Sequence, residues 1–383
     1  MDILVLGAGM MGRAIAYDLS KYSNFRNITL ADKDTKTIIS AKKFLGKKDI
    51  NFDVLDIEKK GDVKKHFKKN DVVISAVPYV YNYDLTKTAI SNNTHFLDLG
   101  GNNNIVNKQR NLFKKAEQNK LTILPDCGLA PGLTSVIVRD IALSFDYVDY
   151  VKIRVGGLPV NPKPPFNYQI VFSPNGLINE YMEDAIALDH GKIIIKKPMA
   201  ELEKISFSKP FHNLEAFSTS GGCSTLPYTF KNKIGYLDYK TIRYPGHCEK
   251  MKLLLDLGLG SEEPLKIGNQ TITPRKVLIK SLLELIPTKG KDVVLIKVIS
   301  KGIKNKKSYN LEYTVIDYCD EKNNITAMMR TTAYPVSITA QMIENGYIKK
   351  YGVFGSEEIV PTEIFFNELK KRNIIIEKEK RKE

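Results

Sequence analysis

Four residues with chemically reactive side chains lie within the seven positions of the segment RYPGHCE, namely Arg243, His247, Cys248 and Glu249. An arginine can bind a carboxylate through two hydrogen bonds, and a histidine can exchange a proton near neutral pH. Zinc needs several ligands on one side of the backbone, whereas adjacent residues point in different directions, so we predict no metal here. The segment is predicted to form one wall of a pocket for a charged substrate. The alternatives are that Arg243 pairs with an acidic residue and that His247 satisfies a buried carbonyl.

A glycine-rich turn lies near the start of the chain, in LVLGAGMMGRAIAYDL. Gly7, Gly9 and Gly12 have the spacing GxGxxG between a predicted strand and a predicted helix, which is the context of a dinucleotide-binding βαβ unit. In such a unit the glycines allow a tight turn, close approach of the backbone to a pyrophosphate, and close packing of helix on strand. The free N–H groups of the first helical turn, which includes Met10 and Met11, are expected to face the phosphates.

Asp32 follows the second predicted strand, 20 residues after Gly12. An acidic residue there accepts a hydrogen bond from the ribose 2′-OH and repels a 2′-phosphate, so we predict NAD rather than NADP. Lys33 weakens this preference, and capping of the next helix is the alternative role for Asp32. Asp56 is expected near the adenine. The residues expected beside the nicotinamide ribose are Ala76, Val77 and Pro78.

Apolar runs alternate with helix-length segments over residues 1–145, which predicts an α/β, Rossmann-type, doubly wound parallel sheet with strand order 3-2-1-4-5-6. We place this dinucleotide-binding domain at residues 1–130 plus 331–383. It is discontinuous because an amphipathic helix near 361–373 is expected to return to it. Residues 131–330 are predicted to form a substrate-binding and dimerisation domain.

The second domain is predicted to be α+β, built on a mostly antiparallel sheet. Its predicted helices cover residues 176–189 and 273–285. Its predicted strands lie in YVDYVKIRVGGLP, FNYQIVFS, DVVLIKVIS and KSYNLEYTVIDY.

A second turn, LPDCGLAPGLTS, follows the sixth predicted strand. Open α/β sheets bind ligands at the carboxyl ends of their strands, so Asp126 could hold an amine or act as a base there. The alternative is that Asp126 caps a helix or orders the turn.

The GLxPG of this turn, together with the N-terminal fingerprint, resembles the saccharopine dehydrogenase-like reductases. Three further segments resemble the L-lysine 6-dehydrogenase branch of that family, and the saccharopine reductases typically carry an acidic residue where this chain has Ala130. The resemblance implies NAD-dependent oxidative deamination of the ε-amino group of L-lysine, in a cytoplasmic homodimer. The product would be allysine, which cyclises to 1-piperideine-6-carboxylate. The three segments are VGGLPVNPKPPFNYQIVFSPNGLINEY, EAFSTSGGCSTL and IRYPGHCEKMKLL.

The implied reaction needs a base, because the ε-ammonium group must lose a proton before it can release hydride. Asp126 and His247 are the leading candidates, and Lys163 is a third. Arg243, with Thr219 or Ser220, is expected to bind the substrate carboxylate. The residues expected to bind the α-ammonium group or line the pocket are Glu180, Asp184, Tyr79 and Tyr168.

The composition narrows the range of partners. The net charge is +15, but the 58 Lys and Arg residues are spread along the chain without a concentrated basic patch, so we expect no nucleic acid. No apolar run approaches the ~18 residues that span a membrane, and four cysteines without CxxC spacing fit a reducing cytoplasm. The expected partner is a small molecule such as L-lysine or a similar diamino acid. Two alternatives are a reductase that condenses an amine with an aldehyde, of saccharopine or carboxynorspermidine type, and a dinucleotide sensor without catalysis.

Overall fold

The computed structural model describes residues 1–382. The strands are β1 Asp2–Leu6, β2 Asn27–Asp32, β3 Asn51–Val54, β4 Val72–Ser75, β5 His95–Asp98, β6 Thr122–Leu124, β7 Tyr147–Pro159, β8 Ala185–Asp189, β9 Lys192–Lys196, β10 Glu203–Ile205, β11 Leu214–Ser218, β12 Ile234–Arg243, β13 Leu265–Ile267, β14 Gln270–Ile272, β15 Asp292–Lys304, β16 Lys307–Tyr318, β17 Gly352–Val353 and β18 Glu377–Lys382. The helices are α1 Met10–Tyr22, α2 Thr35–Leu45, α3 Lys60–Phe67, α4 Asn82–Ser91, α5 Asn103–Arg110, α6 Phe113–Gln118, α7 Leu133–Ser144, α8 Pro174–Met182, α9 Leu226–Phe230, α10 His247–Asp256, α11 Pro274–Leu285, α12 Ala327–Glu344, α13 Ser356–Ile359 and α14 Thr362–Lys371.

The chain divides into two compact units, each built from several segments. The first unit contains Met1–Leu143, Ser224–Thr229 and Met329–Ile374. The second contains Ser144–Cys223, Phe230–Met328 and the segment that starts at Ile375.

The first unit is built on a seven-stranded sheet with the order β17-β6-β5-β4-β1-β2-β3. All of its strand pairs are parallel. This confirms the predicted Rossmann-type order, and the short strand β17 adds a seventh member beside β6. Strands of a parallel sheet that is covered on both faces read as unbroken apolar runs, and Leu4, Val73 and Phe96 are accordingly fully buried.

The boundaries of the predicted dinucleotide-binding domain need correction at both ends. Helix α7 belongs to the first unit, where Arg139 Nη1 donates to the Glu357 carbonyl at 2.6 Å and the Thr362 hydroxyl donates to Asp140 at 3.0 Å. At the other end, β18 pairs with β16 in the second unit. The first unit therefore runs to residue 143 instead of 130, and its last segment ends at 374.

The second unit is built on a nine-stranded mixed sheet. Its main path runs β10-β11-β12-β7-β15-β16-β18, and β8 and β9 branch from β12. Only the pair β12 and β7 is parallel among the described pairs of this sheet, so the predicted mostly antiparallel character is confirmed.

Two predicted elements of the second unit were wrong. FNYQIVFS forms no strand, because Asn167 has a positive φ of 50° and the segment packs Tyr168 and Ile170 into the core without joining a ladder. The predicted helix 176–189 ends at Met182. Beyond it, Ala185–Asp189 pairs with Lys192–Lys196 as an antiparallel hairpin.

Over the described part of the chain, no helix combines the length and the apolar character needed to cross a bilayer.

Candidate active site

The turn between β1 and α1 has the shape that a dinucleotide pyrophosphate requires. Gly7 has a φ of +92°, and a Cβ there would lie 2.8 Å from the Ala76 carbonyl oxygen. A Cβ at Gly12 would collide with the Gly7 carbonyl oxygen, whereas one at Gly9 would meet no atom of the described residues within 4 Å. Helix α1 starts at Met10 without a side-chain cap, so its first N–H groups are left for a ligand. The residues present therefore fit a bound dinucleotide.

Asp32 lies at the end of β2, directly beside this turn. Its Oδ2 accepts from the Ala8 N–H at 2.8 Å, and its Oδ1 accepts from the Asp34 N–H at 2.9 Å. Asp32 does not cap the next helix, which was its alternative role. Asp34 caps α2 instead, by accepting from the Lys36 and Thr37 N–H groups. A fixed carboxylate beside the glycine turn fits the predicted contact with a ribose.

The other residues predicted to bind the cofactor are placed as follows. Val77 packs against Gly7, and Pro78 follows it after β4. Asp56 orders a turn after β3 by accepting from the Glu58 N–H at 3.1 Å. Their contacts with a cofactor stay predictions.

Three buried carboxyl groups form what we call the carboxyl cluster, consisting of Asp98, Asp126 and Glu357. Asp126 lies two residues beyond β6 with a φ of +61°, and its carboxylate accepts from the Ser224 hydroxyl. It also fills the space where a Cβ of Gly100 would stand, which explains a glycine at that position.

Asp98 at the end of β5 holds the loop that carries Asp126. Its Oδ1 accepts from the N–H groups of Gly100 at 2.8 Å and Asp126 at 3.2 Å, and its Oδ2 accepts from Gln109 Nε2 at 2.7 Å. Glu357 accepts from the hydroxyls of Thr225 and Thr229. Sequence reasoning missed Asp98 and Glu357. Only Asp98 carried a signal, because it ends a buried strand next to a double glycine.

The carboxyl groups of this cluster hold protons more tightly than exposed acids. Burial, followed by the nearby charge of Asp98, raises the pKa of Asp126 to about 7. Burial also raises the pKa of Asp98 to about 6 and that of Glu357. Asp126 can therefore exchange a proton near neutral pH, which is what a general base must do.

The second unit contains the segment RYPGHC, which links β12 to α10. Arg243 ends the strand, Gly246 takes a φ of +82° to turn the chain, and His247 starts the helix. Glu215 of β11 secures this turn, because its carboxylate accepts from the N–H groups of Gly246 at 2.9 Å and Cys248 at 2.7 Å. Arg243 and His247 are thus held in fixed positions.

We call the residues around this turn the Arg243 cluster, which consists of Arg243, Tyr168, Tyr181, His247 and Glu180. The Arg243 side chain is buried and lies with its guanidinium carbon 4.8 Å from the centre of the Tyr168 ring. Its Nε donates to Tyr181 Oη at 2.8 Å and its Nη1 donates to the Ile242 carbonyl at 2.9 Å. Among residues 1–382, no carboxylate forms an ion pair with Arg243 within 4.0 Å. The predicted alternative of pairing with an acidic residue is therefore not found.

Glu180 lies near Arg243 without pairing with it. Burial raises the pKa of Glu180 to about 7, while the charge of Arg243 opposes that increase. The Glu180 carbonyl accepts from the Ser220 N–H at 3.0 Å, which brings the STSGG segment beside α8. Thr219 is also buried, and its hydroxyl lies 2.7 Å from that of Thr241.

His247 has a different environment from the one that the sequence suggested. Burial, followed by the charge of Arg243, lowers the pKa of its imidazole to about 3. Its Nε2 lies 3.1 Å from Tyr181 Oη and its Nδ1 lies 3.1 Å from the Phe166 carbonyl oxygen. The expectation of a pKa near the working pH was wrong, and the alternative of a hydrogen bond to a buried carbonyl is observed.

The remaining candidates are more exposed. Asp184 lies beyond the end of α8 and forms an ion pair with Lys197 at 3.0 Å, so it does not share a helix face with Glu180. Lys163 is exposed and lines a cavity of about 200 Å³ together with Tyr168. Within the described residues, no group of His, Cys, Asp and Glu side chains could hold a metal ion.

Two family profiles match the chain, and together they span almost all of it. The saccharopine dehydrogenase NADP binding domain matches residues 3–124, and the saccharopine dehydrogenase C-terminal domain matches residues 128–375. The chain belongs to the saccharopine dehydrogenase family. Membership confirms the predicted resemblance at the level of the family. The narrower resemblance to L-lysine 6-dehydrogenase and the preference for NAD over NADP stay predictions.

Curated members of the family are distant in sequence. Mitochondrial alpha-aminoadipic semialdehyde synthase of Rattus norvegicus is 23% identical over 93% of this chain and 46% of its own length. Saccharopine dehydrogenase [NADP(+), L-glutamate-forming] of Saccharomyces cerevisiae is 23% identical over 76% of this chain and 66% of its own length. The chain thus spans from about half to about two thirds of the length of these relatives.

Solved structures share the fold across the whole chain. Apo saccharopine dehydrogenase (L-Glu forming) from Saccharomyces cerevisiae superposes with a TM-score of 0.81 at 20% identity and covers 99% of both chains. The homospermidine synthase of Legionella pneumophila, solved with NAD, has a TM-score of 0.70 at 14% identity and covers 99% of this chain and 91% of its own. At these identities the likeness establishes the fold.

Proposed function

We propose that this protein is an NAD-dependent dehydrogenase that removes the ε-amino group of L-lysine, releasing ammonia and allysine. The observation that carries the proposal is the relation between Arg243 and Glu180. Glu180 is next in sequence to Tyr181, whose Oη accepts from Arg243 Nε at 2.8 Å, yet no ion pair joins Glu180 and Arg243 within 4.0 Å among the described residues. A cation and an acid held near each other but apart match the two charges of an α-amino acid.

The guanidinium of Arg243 supplies the carboxylate site. One N–H of Nη1 and both of Nη2 have no recorded acceptor within residues 1–382, so the end of the fork can donate two parallel hydrogen bonds. Glu180 supplies the opposite charge for the α-ammonium group, and ionisation of its carboxyl is favoured once that cation arrives. A substrate with one carboxylate and one α-amine satisfies both groups.

Asp126 supplies the base. Bound NAD would accept the hydride that leaves Cε of lysine. That departure requires a lone pair on the ε-nitrogen, and an Asp126 carboxylate with a pKa of about 7 can take the ε-ammonium proton. Water then adds to the resulting iminium carbon and ammonia leaves. Asp32 supports NAD as the cofactor, and the family resemblance supports a cytoplasmic homodimer and cyclisation of the product to 1-piperideine-6-carboxylate.

The proposal is tested with lysine labelled with ¹⁵N at the ε position. Purified protein with NAD should form NADH, measured by absorbance, together with labelled free ammonia and a cyclic imine that reacts with o-aminobenzaldehyde. Loss of the α-nitrogen instead would leave the label in the organic product. NADH formation with the label retained would overturn the proposal.

A second candidate is a reductase that condenses an amine with an aldehyde. The observation that favours it is the cavity of about 200 Å³ beside Tyr168, which Lys163 and Lys289 also line. Two ammonium groups there could take a second carboxylate of a larger substrate. Such an enzyme would oxidise NADH only when both an aldehyde and an amine are supplied, and it would release no ammonia.

A further inference from the structure

Hydrogen bonds connect Arg243 to Tyr181, Tyr181 to His247, and His247 to the Phe166 carbonyl. A guanidinium has only donors, so Arg243 Nε–H donates to Tyr181 Oη at 2.8 Å. The Phe166 carbonyl, 3.1 Å from His247 Nδ1, can only accept, so Nδ1 carries the ring proton of the neutral imidazole. Nε2 then keeps its lone pair and accepts from the Tyr181 hydroxyl, 3.1 Å away. The chain of bonds therefore assigns a single neutral tautomer to His247.

The surroundings oppose any charge on this ring. Arg243 and Lys250 are the cations that face it, and both disfavour an imidazolium. The rings of Phe166, Tyr168 and Tyr181 approach it edge-on, with centroid distances of 6.1, 5.2 and 5.9 Å. No carboxylate within the described residues forms an ion pair with it at 4.0 Å or less. The lone pair of Nε2 is already used by Tyr181, so the ring has no free site for a substrate proton.

We propose that His247 is a positioning residue that acts through Tyr181 on Arg243. By accepting from Tyr181, it orients the phenol oxygen to receive Arg243 Nε–H. The guanidinium is then fixed at Nε by Tyr181 and at Nη1 by the Ile242 carbonyl. The end of the fork, formed by Nη1 and Nη2, is left facing the ligand. The inference rests on the proposed function only in taking that ligand to be the carboxylate of the substrate.

The tautomer is tested first, without any substrate. The chain has five histidines, so ¹⁵N-labelled histidine gives few ring signals in ¹⁵N–¹H correlation spectra. The His247 signals are those that vanish in His247→Gln. We expect the proton on Nδ1 and no titration between pH 5 and pH 8. A proton on Nε2, or a midpoint inside that range, would overturn the inference whatever the enzyme acts on.

The kinetic test uses two substitutions at the same position. His247→Gln can place an amide oxygen near the position of Nε2 and keep an acceptor for Tyr181, whereas His247→Leu cannot. Loss of one hydrogen bond to a charged network should raise KM for lysine about tenfold in the leucine variant, with kcat and KM for NAD within about threefold of the parent. The glutamine variant should recover most of the loss. Neither should change the pH profile of kcat.

A double-mutant cycle asks whether the effect passes through Tyr181. If it does, adding His247→Leu to Tyr181→Phe should raise KM no further. His95→Gln is the matched control, since His95 is a partly buried histidine of the first unit that accepts from the Thr122 N–H at 2.9 Å. An additive increase in KM in the double variant would overturn the positioning role. A large fall in kcat in His247→Leu, with loss of the acidic limb of its pH profile, would also overturn it. If the unaltered protein forms no NADH from lysine, the proposed function fails, while the spectra still decide the tautomer.

Discussion

Arg372 and Arg243, a buried arginine from each unit, are compensated in different ways. Arg372, just beyond α14 in the first unit, forms an ion pair with Asp18 of α1 at 2.7 Å, and both side chains are 0% exposed. It forms a second ion pair with Glu368 at 2.7 Å. Arg243 in the second unit is equally buried, but a phenol, a backbone carbonyl and two aromatic faces take the place of carboxylates.

We interpret Arg372 as a charge with a structural role and Arg243 as the charge that the proposed function assigns to a ligand. A buried ion is costly unless it is paired and hydrogen-bonded, and Arg372 meets both conditions inside the protein. Arg243 cannot lose its proton, so it retains a full charge, which the proposed function assigns to the carboxylate of the substrate. Asp126 likewise has no cation partner among residues 1–382, and its pKa is raised to about 7, so its carboxyl group keeps a proton up to that pH. Paired charges should therefore govern stability and unpaired charges should govern activity.

The largest effect on stability is expected from Arg372→Met. It leaves Asp18 as a buried carboxylate without its cation, which costs about 3–5 kcal/mol of the free energy of unfolding. Urea unfolding measures the loss, while KM for lysine in the remaining folded enzyme should not change. Arg381→Met is the control, because Arg381 forms an exposed ion pair with Glu379 and solvent-exposed pairs contribute little to stability. A raised KM at full stability would contradict the comparison.

The largest effect on catalysis is expected from Asp126→Asn. An amide can keep the hydrogen bond with Ser224 but cannot accept a proton, so kcat should fall by about 10²–10⁴-fold. Asp184→Asn is the matched control, since it makes the same change in an exposed carboxylate that pairs with Lys197. In the unaltered enzyme the rate should rise as pH passes through about 7, because Asp126 must be ionised. Asp98→Asn should move that rise to lower pH, since it removes a neighbouring negative charge.

Asp126→Asn should increase the free energy of unfolding although it impairs catalysis. The pKa of Asp126 is about 7 in the folded protein and 3.8 without its surroundings, so between these values the folded state binds more protons than the unfolded state. Stability is therefore lost as pH rises through this window. Asp126→Asn should raise the free energy of unfolding at pH 8 by on the order of 2–4 kcal/mol and much less at pH 4. Destabilisation at pH 8 would show that the carboxylate is compensated after all.

The fold could be predicted where burial alone determines which residue types a strand contains. Strands covered on both faces give unbroken apolar runs such as DILVL, which is why the order of the first sheet was found. The segment FNYQIVFS has the composition of a strand for another reason. Its Tyr168 and Ile170 pack among Tyr181 and Met251 without any partner strand. Composition shows that a residue is buried but does not show which element it belongs to.

The site was predictable only in part, because its chemistry depends on contacts distant in sequence. Arg243 could be recognised as an arginine among few others, but its partner Tyr181 lies 62 positions away. Asp126 and Ser224, which are hydrogen-bonded, are 98 positions apart. The error at His247 has the same origin, since its pKa is set by burial and by Arg243. A residue type gives the ordinary pKa, and only the fold gives the shift.

A smaller effect is expected from Arg243→Lys. Lysine keeps the charge but cannot donate through a planar fork, so KM for lysine should rise about 10–100-fold. KM for NAD and the free energy of unfolding should stay close to those of the parent, in contrast to Arg372→Met. Arg26→Lys, at an exposed arginine, is the control. A fall in stability with an unchanged KM would place Arg243 with Arg372 among the structural charges.

The smallest effect is expected from Asp32→Asn, which tests an acid that forms no ion pair within residues 1–382. The amide keeps an acceptor for the Ala8 N–H but removes the charge that repels a 2′-phosphate. We expect the unaltered enzyme to use NAD at least about tenfold more efficiently than NADP, and the substitution to reduce that ratio of kcat/KM by about tenfold, or ~1.4 kcal/mol. Asp32→Ala should reduce it as well, with an added loss of stability because the Ala8 N–H loses its acceptor. Asp34→Asn, two residues away at the cap of α2, should leave the ratio unchanged. Equal kcat/KM with NAD and NADP in the unaltered enzyme would show that Asp32 does not select the cofactor.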